Sequence, residues 1–281
     1  MKTGAVLDMD CLAQLQAGAA SALVWHAGEL FLVADDDVLL QCYSLDGRFL
    51  GEHVLLEEQW PQETQARKAA KADFEMLCQL PEGWLLALGS GSTAQRRRGV
   101  LWRPGDARVI DLSPLYLALE KQLPQLNLEG AVVQGDQLLL AQRGNARDSV
   151  NALIRLDLPL LMRQLAGSRL DADCLRAVVP LQLGELDGVP LSITDLCLDL
   201  RGRLLFTAAA EDTVSTYADG PCRGSVVGWL DGDRVQGLWR LAGEAKIEGV
   251  CVVGDGSLRL VNDPDDAARR SCLFRLCLPD F

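Results

Sequence analysis

The stretch Lys246-Ile247-Glu248-Gly249-Val250-Cys251 decides the fold, because four weaker copies of it occur earlier in the chain. Each copy places an acid or a hydroxyl side chain at the start of an apolar run. These key positions are separated by 54, 54, 66 and 53 residues, and they are Ser21, Glu75, Glu129, Asp195 and Glu248. A second apolar run follows each of them after nine or ten residues. A period near fifty with strand-turn-strand content is typical of propeller blades.

The repeat predicts an all-β, five-bladed β-propeller, formed as a single domain by residues 1–281. A sixth blade would have to lie in the longest interval, between Glu129 and Asp195, where the dozen extra residues are too few. The last blade is one strand short. We expect the N-terminal run at residues 4–7 to complete it, so that no sheet edge stays open. Short helices are predicted at residues 113–123 and 158–165, and a surface loop or short helix at residues 59–71.

Composition and charge argue against several classes of partner. The 281 residues are 49% hydrophobic, which is ample for a packed core. A formal net charge of -12 argues against nucleic acid and anionic membrane as partners, and no stretch approaches the roughly 18 apolar residues that span a bilayer. The first residues, interrupted by Asp8 and Asp10, do not resemble a signal peptide. Nine cysteines without a C-x-x-C pair predict buried, reduced thiols and a cytoplasmic location.

The key positions predict a ring of oxygen ligands around the central channel. The first strand of every propeller blade lines this channel, so matching positions converge at one height. Four converging carboxylates repel one another, and a Ca²⁺ ion, which accepts about six to eight oxygen ligands, relieves that repulsion. All-oxygen coordination disfavours zinc and copper. We therefore expect Ca²⁺ as the cofactor, with ligands from Ser21, Glu75, Glu129, Asp195 and Glu248.

Two other arrangements of these acids remain open. Some of them can form ion pairs with Lys71, Lys246 or Arg143 instead of binding a metal. Alternatively, they accept hydrogen bonds from backbone amides at strand ends beside a solvated channel.

The turns that follow each second strand predict the substrate contacts. They lie 13–15 residues beyond the key positions, at the mouth of the channel. The Gly-Ser loop at residues 89–93 can cradle an anion, although the same composition is typical of an ordinary hairpin turn. We expect a small anionic molecule as the ligand, with its anionic group held by Ser90, Ser92, Arg143, Asn145 and Asn262.

The expected catalytic residues are Arg143, Glu248 and Asp263, with an acid serving as the base for metal-activated water. The chain has no G-x-S-x-G motif and only two histidines. Both observations argue against a serine triad.

At these residues the pattern resembles the calcium-activated nucleotidase (apyrase) family of five-bladed propellers, whose blades begin with a Glu or Ser facing a central Ca²⁺. Residues 21–24 leading to residues 30–36 look like its first blade. The Glu-Gly pairs also resemble the esterase-like phytase and gluconolactonase-like propellers. The chain as a whole is similar to an uncharacterised bacterial propeller family near these groups. The turn at residues 142–145 differs from the nucleotidase pattern, so the nucleotidase substrate does not carry over.

The resemblance implies a calcium-binding propeller with hydrolase activity on a phosphorylated, ester or lactone substrate. One alternative is a non-catalytic scaffold, whose ring is structural and whose rim binds another protein. A third hypothesis is a metal-free propeller with a solvated acidic channel.

Overall fold

The structure is a computed structural model, and it describes residues 5–57, 70–145, 149–212, 221–266 and 268–279. Its strands form five antiparallel sheets, which are the five blades of a β-propeller. The inner strands of neighbouring blades contact one another in cyclic order, and that of blade 5 contacts that of blade 1. The prediction of an all-β, five-bladed propeller is therefore confirmed. The loop or helix predicted at residues 59–71 lies outside the described residues, except for residues 70 and 71.

The first strand, β1 (Asp10–Gln14), belongs to the last blade, and the next twelve strands form blades 1 to 3. Blade 1 consists of β2 (Ala20–His26), β3 (Glu29–Ala34), β4 (Leu39–Tyr43) and β5 (Phe49–Val54). Blade 2 consists of β6 (Phe74–Gln79), β7 (Leu85–Gly89), β8 (Arg98–Arg103) and β9 (Asp106–Asp111). Blade 3 consists of β10 (Leu128–Gln134), β11 (Gln137–Gln142), β12 (Ala152–Asp157) and β13 (Leu175–Pro180).

Blade 4 has a fifth strand, because a short hairpin precedes its inner strand. Its strands are β14 (Glu185–Leu186), β15 (Val189–Leu198), β16 (Leu204–Glu211), β17 (Cys222–Asp231) and β18 (Arg234–Arg240). Blade 5 consists of β19 (Lys246–Val252), β20 (Leu258–Asp263), β21 (Cys272–Leu276) and β1.

Both predicted helices are present. Helix α1 (Ser113–Leu119) follows blade 2, and α2 (Leu158–Leu165) connects β12 to β13. Each has a proline in its first turn, and Asp157 caps α2 by accepting a hydrogen bond of 2.7 Å from the Leu160 amide. Single 3₁₀ turns lie at Pro81–Gly83, Ala94–Arg96 and Ala172–Cys174. No helix of the described residues is long and apolar enough to cross a membrane.

The ring closes through an N-terminal strand, but not the one predicted. Asp10–Gln14 pairs antiparallel with Cys272–Leu276, whereas the described part of the run at residues 4–7 contributes only a bridge between Leu7 and Leu241. Outer strands of a blade face solvent, and Asp10–Gln14 is accordingly mostly exposed and carries no apolar run. The sequence prediction selected the apolar segment and therefore placed the strand too early.

The core lies between the blades rather than within a single layer. Apolar clusters fill the space between each pair of neighbouring blades, and the cluster between blades 2 and 3 also buries the inner faces of α1 and α2. Five of the nine cysteines are buried free thiols, and three of these, Cys78, Cys197 and Cys251, lie on the inner strands of blades 2, 4 and 5. Cys11 and Cys277 are exposed, contrary to the prediction of buried thiols.

Every inner strand carries a one-residue bulge, which lies near the start of the strand in four blades and in the middle of β15 in blade 4. The pairing register with the second strand shifts there, so that one residue of the inner strand has no partner opposite it. A bulge re-aims the side chain that it leaves unpaired. The bulged residues are Ser21, Glu75, Glu129, Thr194 and Glu248.

The fourth key position is therefore Thr194 and not Asp195, which is a correction to the sequence prediction. Asp195 pairs with Thr207 beyond the bulge, on the regular part of the strand. With Thr194 in the series, three of the four intervals become 54 residues. The preference for an acid side chain selected the wrong neighbour.

The glycines of the Glu-Gly pairs allow neighbouring inner strands to approach closely. A Cβ atom on Gly130 would lie 2.9 Å from Asp195 Cα and from the Leu196 amide nitrogen in blade 4. A Cβ on Gly249 would lie 3.1 Å from the Leu23 amide nitrogen in blade 1. Any larger residue would push these blades apart at the channel.

We expect Gly130→Ala to lower the free energy of unfolding by about 1–3 kcal/mol, because the added methyl group meets the backbone of blade 4. Urea denaturation measures the change. The matched control is Gly18→Ala, where the nearest atom is a flexible side-chain oxygen of Asp36 at 3.6 Å. Equal stability of the two variants would contradict the role of close blade approach.

Candidate functional site

A polar cavity of about 110 Å³ lies at the end of the channel where the inner strands begin. Seven of the eleven predicted site residues line it: Ser21, Glu75, Glu129, Arg143, Asn145, Glu248 and Asp263. Six further residues complete its lining: Asp35, Lys71, Asp73, Arg96, Asn127 and Lys246. Ser90, Ser92, Asp195 and Asn262 do not line it.

Arg143 is the hub of one side of the cavity. Its Nη1 lies 3.3 Å from Glu129 Oε2 and 3.3 Å from Glu248 Oε1. Its Nη2 donates to Glu211 Oε2 at 2.8 Å, and its Nε donates to Ser192 Oγ at 3.3 Å. These partners belong to blades 3, 4 and 5, so one guanidinium connects three blades across the channel.

These contacts correct the predicted role of Arg143 as the group that holds a substrate anion. Four of its five N–H groups are engaged by this chain's own side chains. Burial opposes the charge, but Glu248, Glu129 and Glu211 outweigh it and raise the pKa of Arg143 further above its usual value. The guanidinium therefore stays charged and positions the acids.

Lys246 gathers a second group of acids beside Arg143. Its Nζ lies 2.6 Å from Asp265 Oδ1, 3.2 Å from Glu248 Oε1 and 3.5 Å from Asp263 Oδ2. Glu248 Oε1 is thus shared between Lys246 and Arg143. The sequence left open that some of the ring acids form ion pairs with basic residues. Glu129 and Glu248 do so, with Arg143 and, for Glu248, also with Lys246.

The opposite side of the cavity, formed by blades 1 and 2, is arranged around Asp73. Lys71 Nζ lies 2.8 Å from Asp73 Oδ1 and also binds Asp35. Asp73 Oδ2 lies 2.8 Å from Arg96 Nη1 and accepts a hydrogen bond of 2.5 Å from Ser90 Oγ. Asp73 is buried and fully paired, in contrast to its neighbour Glu75.

The Gly-Ser loop braces Asp73 and Arg96 and does not face the cavity. Ser90 is fully buried, and its Oγ lies 2.9 Å from Ser92 Oγ. Ser92 Oγ in turn accepts a hydrogen bond of 2.8 Å from Arg96 Nη1. Both hydroxyls are therefore used internally, which corrects their predicted role as substrate ligands.

Two other predicted residues form structural contacts instead. Asp195 accepts hydrogen bonds from the amides of Leu196 at 2.7 Å and Val250 at 2.8 Å, so it joins the inner strands of blades 4 and 5. This is the backbone-capping arrangement that the sequence left open for the ring acids. Asn262 Oδ1 accepts a 2.8 Å hydrogen bond from the Cys272 amide and so connects β20 to β21.

Glu75 differs from the other acids because no hydrogen bond or ion pair holds its carboxylate among the residues that the structure describes. Its oxygens and those of Asp35 and Asp73 lie within 4.8 Å of one another. Burial, with the charges of Glu129 and Asp73, raises the pKa of Glu75 well above its usual value. An unpaired acid thus faces the cavity beside two other carboxylates.

Negative charge exceeds positive charge in the cavity. Its lining contains six carboxyl groups and four cationic side chains, so two negative charges are left over. Burial raises the pKa of Glu129 to about 8, with Arg143 opposing and Glu248 adding to the shift. Burial also raises the pKa of Asp263 to about 8 against the opposing charge of Lys246. Protons therefore neutralise part of this excess near pH 7.

A second ring of polar residues, two positions before each bulge, was missed by the sequence analysis. Its members in blades 2 to 5 are Asp73, Asn127, Ser192 and Lys246. Residues two apart on a strand share a face, so this ring lies beside the first one. Asn127 illustrates its role, because its Nδ2 donates to Glu129 Oε1 at 2.6 Å. Polarity recurring two residues before the key position was the signal that could have revealed it.

Solved structures similar to this chain share its fold. Glutaminyl cyclase from Myxococcus xanthus has a TM-score of 0.54 at 15% identity, and the match covers 98% of this chain and 100% of that one. The calcium-binding protein regucalcin from Agrobacterium tumefaciens has a TM-score of 0.52 at 12% identity, covering 98% and 96%. A gluconolactonase from Xanthomonas campestris has a TM-score of 0.46 at 14% identity, covering 96% and 89%.

At these identities the likeness shows the fold alone, and it does not single out the nucleotidase group among propellers. No curated protein matches the chain in sequence. Residues 16–278 match a family of unknown function, and the chain therefore belongs to that family, DUF6929.

Proposed function

We propose that this protein is a hydrolase of small esters or lactones that depends on a divalent cation, with Ca²⁺ as the expected ion. The observation that carries this proposal is the convergence of Asp35, Asp73 and Glu75 at the cavity, with Glu75 unpaired in the described part of the chain. Relative to the sequence prediction, the proposed cation site moves from the whole ring to the side of blades 1 and 2.

The donor set fits a hard divalent cation. Ca²⁺ prefers carboxylate and hydroxyl oxygens, and Ser21 adds a hydroxyl to the lining of the same cavity. With all its acids ionised, the lining carries two more negative than positive charges, and one divalent ion would offset them in place of the bound protons. Lys71 shares Asp35 and Asp73, so it would remain as a neighbour that tempers their negative charge.

The charge pattern favours an ester or lactone over a phosphorylated substrate. Arg143, Lys246, Lys71 and Arg96 are each in contact with carboxylates of this chain. A phosphate group needs several N–H donors of its own. A neutral carbonyl group can be bound without several free N–H donors.

Glu75 would act as the base in this reaction. A bound cation would polarise the substrate carbonyl. Glu75 lines the cavity without a partner among the described residues, and a bound cation would lower its raised pKa, so that its carboxylate could take a proton from the attacking water. Asp263, whose pKa is raised to about 8, is a second titratable carboxyl group in the lining of this cavity and lies beside Lys246. Arg143 holds Glu129 and Glu248 in place and does not touch the substrate in this scheme.

Calcium is expected to stabilise the folded protein. Adding Ca²⁺ to chelator-treated protein should raise Tm, by an amount equivalent to about 2.7 kcal/mol at a hundredfold excess over Kd. Glu75→Gln should abolish the shift, because it removes the unpaired carboxylate. Glu244→Gln, at an exposed position, should retain it. Thermal unfolding with Ca²⁺ and Mg²⁺ measures this, and a full shift in Glu75→Gln would refute the site.

The stability of the chelated protein should fall as pH rises from about 5 to 8. The folded state holds protons on Glu129 and Asp263, whose pKa values are raised to about 8, while the unfolded state has released them. Denaturation at several pH values measures the slope. Glu129→Gln should flatten it and Glu244→Gln should not. A slope that Glu129→Gln leaves unchanged would show that the cavity acids do not cause it.

Hydrolysis should require Glu75. Against a panel of lactones, short-chain esters and phosphate monoesters with Ca²⁺ present, we expect turnover of lactones or esters. Glu75→Gln should lower turnover by at least about 10²-fold, because it removes a ligand of the proposed cation together with the base. Calcium binding without any turnover would reduce the proposal to a binding protein. Turnover of phosphate monoesters alone would overturn the substrate class.

A further inference from the structure

Two side chains that line the cavity, one from blade 3 and one from blade 5, each have a buried acceptor atom without a donor among the described residues. Glu248 is 5% exposed, and its Oε2 is buried without a hydrogen-bond partner among the described residues. Asn145 Oδ1 is likewise buried without a hydrogen-bond partner among the described residues. Both residues line the cavity. Leaving a buried acceptor unpaired is destabilising, and more so when it is charged, so a ligand with donors would stabilise this part of the cavity.

The cations already present cannot satisfy these acceptors. Arg143 and Lys246 together contact five carboxyl groups, those of Glu129, Glu211, Glu248, Asp263 and Asp265. Lys246 Nζ and Arg143 Nη1 both contact Glu248 Oε1, which leaves the buried Oε2 of the same carboxylate without a donor among the described residues. This part of the cavity therefore calls for a further positive charge that carries N–H groups.

An organic ammonium fits this position better than a second metal ion. Among the described residues, Asp35, Asp73 and Glu75 form the group of three acids whose oxygens lie within 4.8 Å of one another. Glu248 does not belong to this group. The unpaired acceptors of Glu248 and Asn145, two residues of the cavity lining, are a carboxylate oxygen and an amide oxygen. A primary ammonium offers three N–H donors that point in different directions, which suits acceptors on two separate residues. Its head is about the size of one water molecule, so it fits a cavity of about 110 Å³.

We propose that the substrate is an ester or lactone bearing a protonated primary amine, with the ammonium bound by Glu248 and Asn145. This inference rests on the proposed hydrolase function for the reacting half of the molecule. The cation site and the ammonium site line one small cavity, so the amine would lie only a few bonds from the carbonyl group, as in an α-amino ester or α-amino lactone.

Binding of the amine can be measured without any hydrolysis. Isothermal titration of chelator-treated protein with propylammonium and with propan-1-ol compares a charged donor with a neutral molecule of similar size. We expect propylammonium to bind at least tenfold more tightly. Glu248→Gln and Asn145→Ala should each remove most of that difference, while Glu244→Gln should keep it. Asn145→Ala leaves the contacts of Arg143 intact, so it reports on the site even if Glu248→Gln fails to fold.

Turnover separates this inference from the proposed function. We expect α-amino-γ-butyrolactone to be hydrolysed at least tenfold faster than γ-butyrolactone, with the ratio approaching one in Asn145→Ala. Equal turnover of both lactones, together with equal binding of propylammonium and propanol, would overturn the ammonium site and leave the hydrolase standing. Tight propylammonium binding without turnover of either lactone would overturn the hydrolase and leave the ammonium site.

Discussion

Arg143 is a buried cation at the point where three blades meet, and the channel is arranged to keep it paired. A charged guanidinium away from water is tolerated only when carboxylates and further hydrogen bonds surround it. Glu129, Glu211 and Glu248 supply those carboxylates from blades 3, 4 and 5. Removing one partner of a buried ion pair costs about 3–5 kcal/mol. The inner strands must therefore present these acids at one height, which fixes how the three blades sit around the channel.

The same local device builds both the ring and the site. A bulge in each inner strand turns one side chain toward the channel, and in blades 3 and 5 a glycine follows it. The glycine lets the neighbouring strand approach to about van der Waals contact. Close approach of the strands shields Glu129 from water, and burial is the first cause of the raised pKa of this residue. Fold geometry and acid chemistry are thus two results of one short motif.

The sequence predicts the blades well because the repeat reports on strand spacing directly. The N-terminal strand was misplaced, since Asp10–Gln14 is an exposed outer strand with no apolar pattern. Asp195 was chosen over Thr194 because residue type outweighed spacing, although the spacing of 54 residues points to Thr194. The sequence named Lys71, Lys246 and Arg143 as partners for the acids, but which acid each one meets depends on side chains from separate blades. No local sequence pattern reports on contacts between side chains of different blades, and so Glu211 was missed as a partner of Arg143.

The imbalance of charge that remains is itself informative. A channel shaped by stability alone would pair every buried carboxylate, because unpaired buried charge is destabilising. Among the described residues the pairing is nearly complete, yet one oxygen of Glu248 is buried without a partner, and the half-buried carboxylate of Glu75 has no hydrogen bond or ion pair. Local rules of this kind are broken in natural proteins mainly at functional sites. The two gaps line one cavity and differ in kind, since Glu75 belongs to a compact group of three acids, whereas Glu248 is not part of such a group among the described residues. That difference is the physical basis for assigning them to two different positive groups, a metal ion and an ammonium.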